Sequence, residues 1–509
     1  MGATDNLKRS LLLFLSRIIY FIARFLYKLL KVIVKPLMNA HPRIHRFGVS
    51  VRDAFKELIR PAEADHTATP AVLLEVMHEV ISEDRKKREI PPWLIEEWKE
   101  IHEIEPQLFP ETWLVNTVPF YRVPDSRVGT HYLELCTRYG EGVSHVFLVP
   151  WLKMGGADLV TINYVNALVQ GKLSAGIVVI ATLDADSPWS ERLPEGVRFI
   201  EFGKIYSHLS PEEQESLLTR VLIQKAPKVV HTINSDLAYR VLVKHGKALS
   251  GISDLYACSF CEDITPEGKY VGYPFMYLPR CFDSLTAVFS DNKTFLAKLH
   301  EIYAFDIRKM HVHYQPVALP SGRIPAREGS GGQHLNILWA GRLDRQKRPD
   351  ILIGIAEKCQ GLPITFDVYG SSVIDTHIYT DAFHKLGNIR YCGAFNGLPS
   401  LKTEQYDLFL YTSQWDGLPN VLLESVSLGL PVVASDVGGI SELIADRETG
   451  YLISPYDDTD RYVDCLREIM EQKDMLPVVA DNALKLIARR HSWERFAEDI
   501  RNLPGYVRA

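Results

Sequence analysis

The sequence predicts an α/β protein whose two halves each carry a parallel sheet and face one another across a cleft, with a helical extension ahead of them. Three observations predict this. From Ser144 onward, short apolar runs rich in β-branched residues alternate with segments of helical period, the pattern of right-handed βαβ crossovers. A Gly/Pro/Ser-rich stretch over residues 318–333, ALPSGRIPAREGSGGQ, interrupts that pattern. Beyond it the alternation begins again.

At 509 residues the chain is too long for a single core. Its 46% apolar and 24% charged residues place it with globular proteins. The net charge of −6 hides a division. Residues 1–60 carry twelve Lys/Arg against Asp5, Asp53 and Glu57, net +9, which leaves 45 basic and 60 acidic residues, net −15, in the rest. So acidic a body argues against nucleic acid as a partner, since phosphate binding needs basic surface. The seven cysteines (136, 258, 261, 281, 359, 392 and 465) are odd in number and scattered, as expected of free thiols in a reducing compartment. Cys258-x-x-Cys261 reads as half a zinc site, a redox pair or two buried thiols. No second CxxC or HxxxH follows at zinc spacing, so buried thiols are expected.

The extension opens with residues 7–37, LKRSLLLFLSRIIYFIARFLYKLLKVIVKPL. On a helix Arg17, Arg24, Lys28, Lys31 and Lys35 project within roughly 60° of one another. The longest charge-free run is seven residues, 10–16, where a bilayer span wants about twenty, so no transmembrane helix is expected. One cationic stripe on an apolar rod suits a helix lying in an anionic lipid surface. Docking on a protein and a targeting role are the competing readings. Residues 1–40 thus form a membrane-associating helix, and 41–140 a helical or irregular appendage with a linker at 61–70 and a solvated charge run, EDRKKRE, at 83–89.

The first half, 141–320, holds the strand candidates VFLVPWL, GIVVIATL, VRFIEF, KVVHTI and SLTAVFS. The second, 333–490, holds LNILWAG, ITFDVYG, IRYCGAF, YDLFLYT and PVVAS. Residues 491–509 form a last helix that crosses back to brace the first half. In two such Rossmann-like halves, ligands lie at the carboxyl ends of the strands.

Those ends carry the chemistry. Gly155-Gly156 follows the first strand of one half and Gly438-Gly439 follows PVVASDV in the other; glycine there lets backbone approach a ligand, or simply makes a tight turn. Neither GxGxxG nor a Walker A motif is present, which disfavours dehydrogenases and NTPases. Arg342 and Lys347 lie just beyond LNILWAG, placed to neutralise a pyrophosphate. In 412–444, TSQWDGLPNVLLESVSLGLPVVASDVGGISELI, a helix is expected to open at Pro419 or Asn420, with Asp416 at its positive end and Glu424 one turn inside. Carboxylates there accept from hydroxyls while free N–H groups face anionic oxygen.

GRLDRQKRPD, VYG, WDGLPNVLLE and PVVASDVGGISELI, in this order and spacing, resemble a family 4 retaining glycosyltransferase of the GT-B fold. The likeness is strong over 335–491, looser over 144–316, and absent from 1–140. It implies that Arg342 and Lys347 hold a donor diphosphate, that Glu424 binds ribose hydroxyls, and that Asp416 with Gly417, Leu418, Pro419 and Asn420 holds the transferred sugar and phosphate. Gly155 and Gly156 would approach the diphosphate from the other half, and His231 would lie near the sugar. The family pattern is Glu-x7-Glu; Asp416 stands in place of the first glutamate. The implied activity is retaining transfer of a sugar from a nucleotide-sugar donor to a glycan or lipid-linked acceptor, on the cytoplasmic face of a membrane, with no essential metal and no other cofactor. A nucleotide-sugar epimerase and a non-catalytic sugar-nucleotide-binding scaffold are the alternatives on this fold. Asp184-Ala-Asp186 spells a metal-binding DxD of a different transferase fold, but it follows a strand in the wrong half and is read as chance.

Overall fold

The computed structural model describes residues 92–109, 127–319, 334–371 and 377–507. The basic segment 7–37, with its expected membrane-surface helix, the 61–70 linker and the 83–89 charge run lie outside the described residues. The chain divides into two compact units, 1–125 and 126–509. In the first, helix α1 (Pro92–Ile104) is followed by a turn that sets Phe109 edge-on to Trp98, ring centres 5.5 Å apart. Among the described residues no helix is long and apolar enough to cross a membrane.

The second unit holds both sheets. Its first half runs α2 (Arg127–Tyr139), β1 (His145–Val149), α3 (Gly156–Gln170), β2 (Ile177–Ala181), β3 (Arg198–Ile200), α4 (Pro211–Lys225), β4 (Val229–Ile233), α5 (Asp236–Leu249) and β5 (Asp254–Cys258). A small hairpin, β6 (Asp263–Ile264) and β7 (Tyr270–Val271), precedes β8 (Ala287–Ser290), α6 (Lys293–Tyr303) and β9 (Met310–Val312). The sheet order is β3-β2-β1-β4-β5-β8-β9, with every pairing parallel. The order reverses direction between β1 and β4, so loops there diverge and leave a crevice.

The second half repeats the plan with β10 (Leu335–Ala340), α7 (Pro349–Lys358), β11 (Ile364–Tyr369), α8 (His377–His384), β12 (Ile389–Gly393) and β13 (Leu408–Tyr411). It continues with α9 (Asn420–Ser427), β14 (Val432–Ser435), β15 (Tyr451–Ile453), α10 (Thr459–Glu471), α11 (Leu476–Arg490) and α12 (Trp493–Asn502). The order β12-β11-β10-β13-β14-β15 is again all parallel and reverses between β10 and β13.

Both sheets are covered on both faces, which explains why their strands read as continuous apolar runs. In β1, Val146 and Leu148 enter one core while Phe147 and Val149 enter the other. Helix α2 belongs to this half: Leu135 and Tyr139 are wholly buried in the same cluster as Val146. The compact unit that holds both sheets begins at residue 126 and so includes α2.

The chain returns to the first half at its end. Phe496, Ile500 and Tyr506 pack with Phe147, Tyr164 and Val229, each fully buried side chain contributing about 1.5–3 kcal/mol. Four buried histidines secure this segment. His145 Nε2 reaches the Tyr506 carbonyl at 3.0 Å, His231 Nδ1 the Tyr506 hydroxyl at 2.7 Å, His313 Nε2 the Phe496 carbonyl at 3.2 Å, and His491 Nδ1 the Gln315 carbonyl at 2.7 Å. Burial lowers all four, His145, His313 and His491 to about 4. They are neutral in the fold but protonate near the ordinary 6.5 when unfolded, so stability is full above that pH and declines as pH falls toward 4. Denaturant unfolding at stepped pH should show this decline, with the 491–507 segment becoming protease-sensitive on the acid side. Tyr506→Phe, which strips His231 of a buried partner, should cost about 1–3 kcal/mol at neutral pH.

Candidate active site

The two halves enclose a cleft of about 1090 Å³ at the carboxyl ends of their strands. Gly155 and Gly156 reach it from the loop between β1 and α3. A Cβ on Gly155 would lie 2.6 Å from the Asp158 carboxylate and would push that side chain aside; at Gly156 the nearest atom is Asn420 Nδ2, 3.5 Å away. Asp158 accepts from the Lys153 N–H at 3.1 Å, and burial pushes its carboxyl up to about 6.

Arg342 and Lys347 sit on the loop between β10 and α7 and face the same cleft. The loop is pinned at two points: Gln346 Nε2 donates to the Trp415 carbonyl (3.0 Å), and Thr412 Oγ1 donates to the Lys347 carbonyl (2.8 Å). Arg342, over half exposed, reaches back to Gln346 Oε1 at 2.6 Å and Asp344 at 3.2 Å. Lys347 Nζ donates to Asp416 and to the Tyr411 hydroxyl at 2.5 Å, and Tyr411 donates to the same Asp416 oxygen at 2.5 Å. Burial first, then the Asp416 charge, holds the Tyr411 hydroxyl well above its ordinary range, so it remains a donor. Asp416 is thus drawn onto Lys347, and its other oxygen accepts from the Gly417 N–H at 3.0 Å.

Helix α9 opens at Asn420 with Pro419 as its N-cap, its free N–H groups beside this cluster. Asn420 Nδ2 donates across the cleft to the Gly156 carbonyl at 3.3 Å. One turn on, half-buried Glu424 accepts from the Leu398 N–H at 3.2 Å. Burial raises its pKa, opposed by that N–H and by Arg192 from the other half.

The cleft therefore brings together Gly155, Gly156, Arg342, Lys347, Asp416, Pro419, Asn420 and Glu424. It does not bring in five positions read from the sequence, Gly417, Leu418, Gly438, Gly439 and His231. Leu418 is buried in the second core, and Gly417 lies against the first half, where a Cβ would come 2.8 Å from the Phe260 carbonyl and 2.9 Å from Asp291. Gly438 and Gly439 also serve this seam rather than the lumen. Gly438 has φ +54° and a Cβ there would meet the Asp416 carbonyl, while one on Gly439 would strike Asn292.

His231 is a correction. The strand runs to Ile233, so His231 is mid-strand and points into the core shared with α12, between Tyr506 and Cys258 Sγ at 3.0 Å. The strand end facing the cleft belongs to Ile233 and Asn234, the latter at φ 51°. Cys258 itself lies in β5 as a buried thiol. Asp184 and Asp186 are exposed, Asp186 paired with Lys204 at 2.9 Å. Among the described residues no group of three His, Cys, Asp or Glu is placed to hold a metal ion.

Tyr411, Trp189 and Arg192 were missed. Tyr411 carried a usable signal as the last residue of its strand; the other two sit on a single 3-10 turn, Pro188–Arg192, too short to show a periodicity. Gly438→Ala should destabilise the protein by about 2 kcal/mol or more in chemical denaturation, through its left-handed backbone and the missing space, whereas Gly156→Ala should leave the unfolding midpoint near wild type.

Comparison with known proteins bears on this arrangement. The family of glycosyl transferases group 1 matches residues 334–472. An uncharacterised 41.2 kDa protein of the cps region of Klebsiella pneumoniae is 31% identical over 138 residues, 26% of this chain and 36% of its own length. The lipopolysaccharide core biosynthesis mannosyltransferase LpsB of Rhizobium meliloti is 34% identical over 96 residues, 18% of this chain and 27% of its own. The chain thus spans about a third of the length of these relatives. Anabaena Alr3699/HepE, solved in complex with UDP and glucose, superposes with a TM-score of 0.55 at 18% identity, covering 71% of this chain and 98% of that one. Residues 334–472 are a domain of the glycosyl transferases group 1 family, forming the second half of a GT-B-like fold.

Proposed function

We propose that the protein transfers a sugar from a nucleotide-sugar donor to a glycan or lipid-linked acceptor, with retention, in polysaccharide or glycolipid synthesis. The observation that carries the reading is the grouping of Arg342, Lys347 and the α9 N-terminus on one wall of a cleft whose opposite wall is Gly155-Gly156. The HepE complex with UDP and glucose supports a donor of this chemistry, and the LpsB likeness supports a polysaccharide setting.

In this reading the donor diphosphate lies along Arg342 and Lys347, with the Gly156 backbone facing it. Glu424 accepts from the ribose hydroxyls. Asp416 fixes the Lys347 ammonium and, with the Pro419–Asn420 backbone, bounds the sugar. The bond from the anomeric carbon to the diphosphate breaks, and a bond from that carbon to the acceptor oxygen forms on the same face. The acceptor's proton passes to the departing diphosphate oxygen. Charge on the leaving group is where preorganised donors act most strongly, so Arg342 and Lys347 supply most of the acceleration and no divalent ion is required. The 7–37 stripe holds the enzyme at an anionic, cytoplasmic membrane face where lipid-linked acceptors lie.

Arg342→Ala should lower turnover about 10²–10³-fold with an unchanged melting temperature, since its side chain is over half exposed. Donor affinity should weaken on the acid side at a higher pH than an ordinary glutamate dictates, because the raised Glu424 carboxyl protonates early and stops accepting from hydroxyls. Calorimetric titration of UDP-, GDP- and ADP-sugars against pH checks this, and Glu424→Gln should flatten the profile. Removal of residues 1–40 should abolish sedimentation with anionic liposomes; undiminished binding would refute the lipid role.

A further inference from the structure

The first half contributes a wall of its own to the cleft. The loops after β1 and β2 are tied together by the Trp189 N–H donating to the Leu152 carbonyl at 3.0 Å and the Leu152 N–H donating to Ser187 Oγ at 3.1 Å. This fixes two cation–aromatic pairs side by side: Lys153 Nζ lies 4.5 Å from the Trp151 ring centre, and the Arg192 guanidinium 4.2 Å from that of Trp189. All four residues line the cleft, flanked by Met154 and Leu183, which are 55% and 36% exposed.

Among the described residues, neither Lys153 nor Arg192 has a carboxylate at ion-pair distance. Asp158 is turned onto the Lys153 backbone, Asp186 is taken by Lys204, and Arg192 faces Glu424 across the lumen. Both cations line the cleft and keep N–H donors free of any ion pair, so an anionic group entering there would meet them. The donor diphosphate already has Arg342 and Lys347. Each cation lies over the face of its own indole, which holds it at the cleft wall with its N–H groups available.

Resting on the glycosyl-transfer reading, we infer that Trp151, Lys153, Trp189 and Arg192 form an acceptor subsite specific for a sugar bearing an anionic substituent, a carboxylate or a phosphate. The two tryptophans hold the cations in place, and Lys153 and Arg192 bind the charge. The subsite distinguishes acidic from neutral acceptors independently of the nucleotide.

The test is calorimetric titration of the full chain, its donor site first saturated with the nucleoside diphosphate that raises the melting temperature most. Methyl glucuronide, glucose 6-phosphate and methyl glucoside are the probes. The two anionic sugars should bind about tenfold or more tightly than the neutral one, the preferred anion identifying the substituent. That preference should disappear in Lys153→Ala and Arg192→Ala and be partly restored in Arg192→Lys, with melting temperatures unchanged. Equal affinity for charged and neutral sugars, binding of none, or a preference that survives both alanine variants overturns the subsite. Failure of every nucleotide to bind defeats the glycosyl-transfer reading instead, and with it the need for an acceptor.

Discussion

The cleft depends on how closely two backbones approach at its floor. Gly417 and Gly439 of the second half lie against Phe260, Asp291 and Asn292 of the first with no room for a Cβ, and Gly438 is turned into the left-handed region beneath the Asp416 carbonyl. That contact sets the position of Asp416, and through it Lys347. It also delivers the Glu442 carboxylate to the start of α6, where Oε1 accepts from the Lys293 and Thr294 N–H groups at 2.7 and 2.9 Å. A carboxylate from one half thus caps a helix in the other, satisfying donors that would otherwise face the seam unpaired. Asp291, enclosed at the same seam, is pushed up to about 8, chiefly by burial, with Asp416 adding to the rise.

The electrostatics of the two walls differ in kind. On the second-half wall each cation is already engaged: Lys347 by Asp416 and Tyr411, Arg342 by Asp344 and Gln346. Such pairing holds the charged ends in place before a ligand arrives, which is what makes charge stabilisation effective. The α9 N-terminus adds to this, though at about 0.3–1 kcal/mol it is the smaller term beside two full charges. A glutamate at 416 would extend further into the lumen; the aspartate stays back against Lys347 and Tyr411.

Much of the second half was legible in the sequence because its chemistry is local. LNILWAG, ITFDVYG, IRYCGAF, YDLFLYT and PVVAS are bounded by turn residues and became five strands of its sheet. Arg342, Lys347, Asp416 and Glu424 lie within a few residues of strand ends, so position along the chain approximates position in space. Strand β15 escaped, since three residues carry no periodicity, and β5 (Asp254–Cys258) was not among the strand candidates. His231 shows the limit of such counting. An error of two residues at a strand end moves a side chain from the cleft rim to the core. The roles of Gly438, Gly439 and Glu442 depend on partners more than a hundred residues away in the first half or on fitting beneath a distant loop, and no local pattern encodes them.

The return of α12 and its tail to the first half has a consequence for how the molecule is made. Phe496 and Tyr506 are structural members of a domain whose other residues begin near 127, with the whole second sheet intervening in the sequence. The strands of the second half follow one another in sequence, whereas the core of the first lacks Phe496, Ile500 and Tyr506 until residues 493–507 have been made. The half translated first is therefore completed by residues made after the whole second sheet, and His145 and His231 bind that later segment through Tyr506.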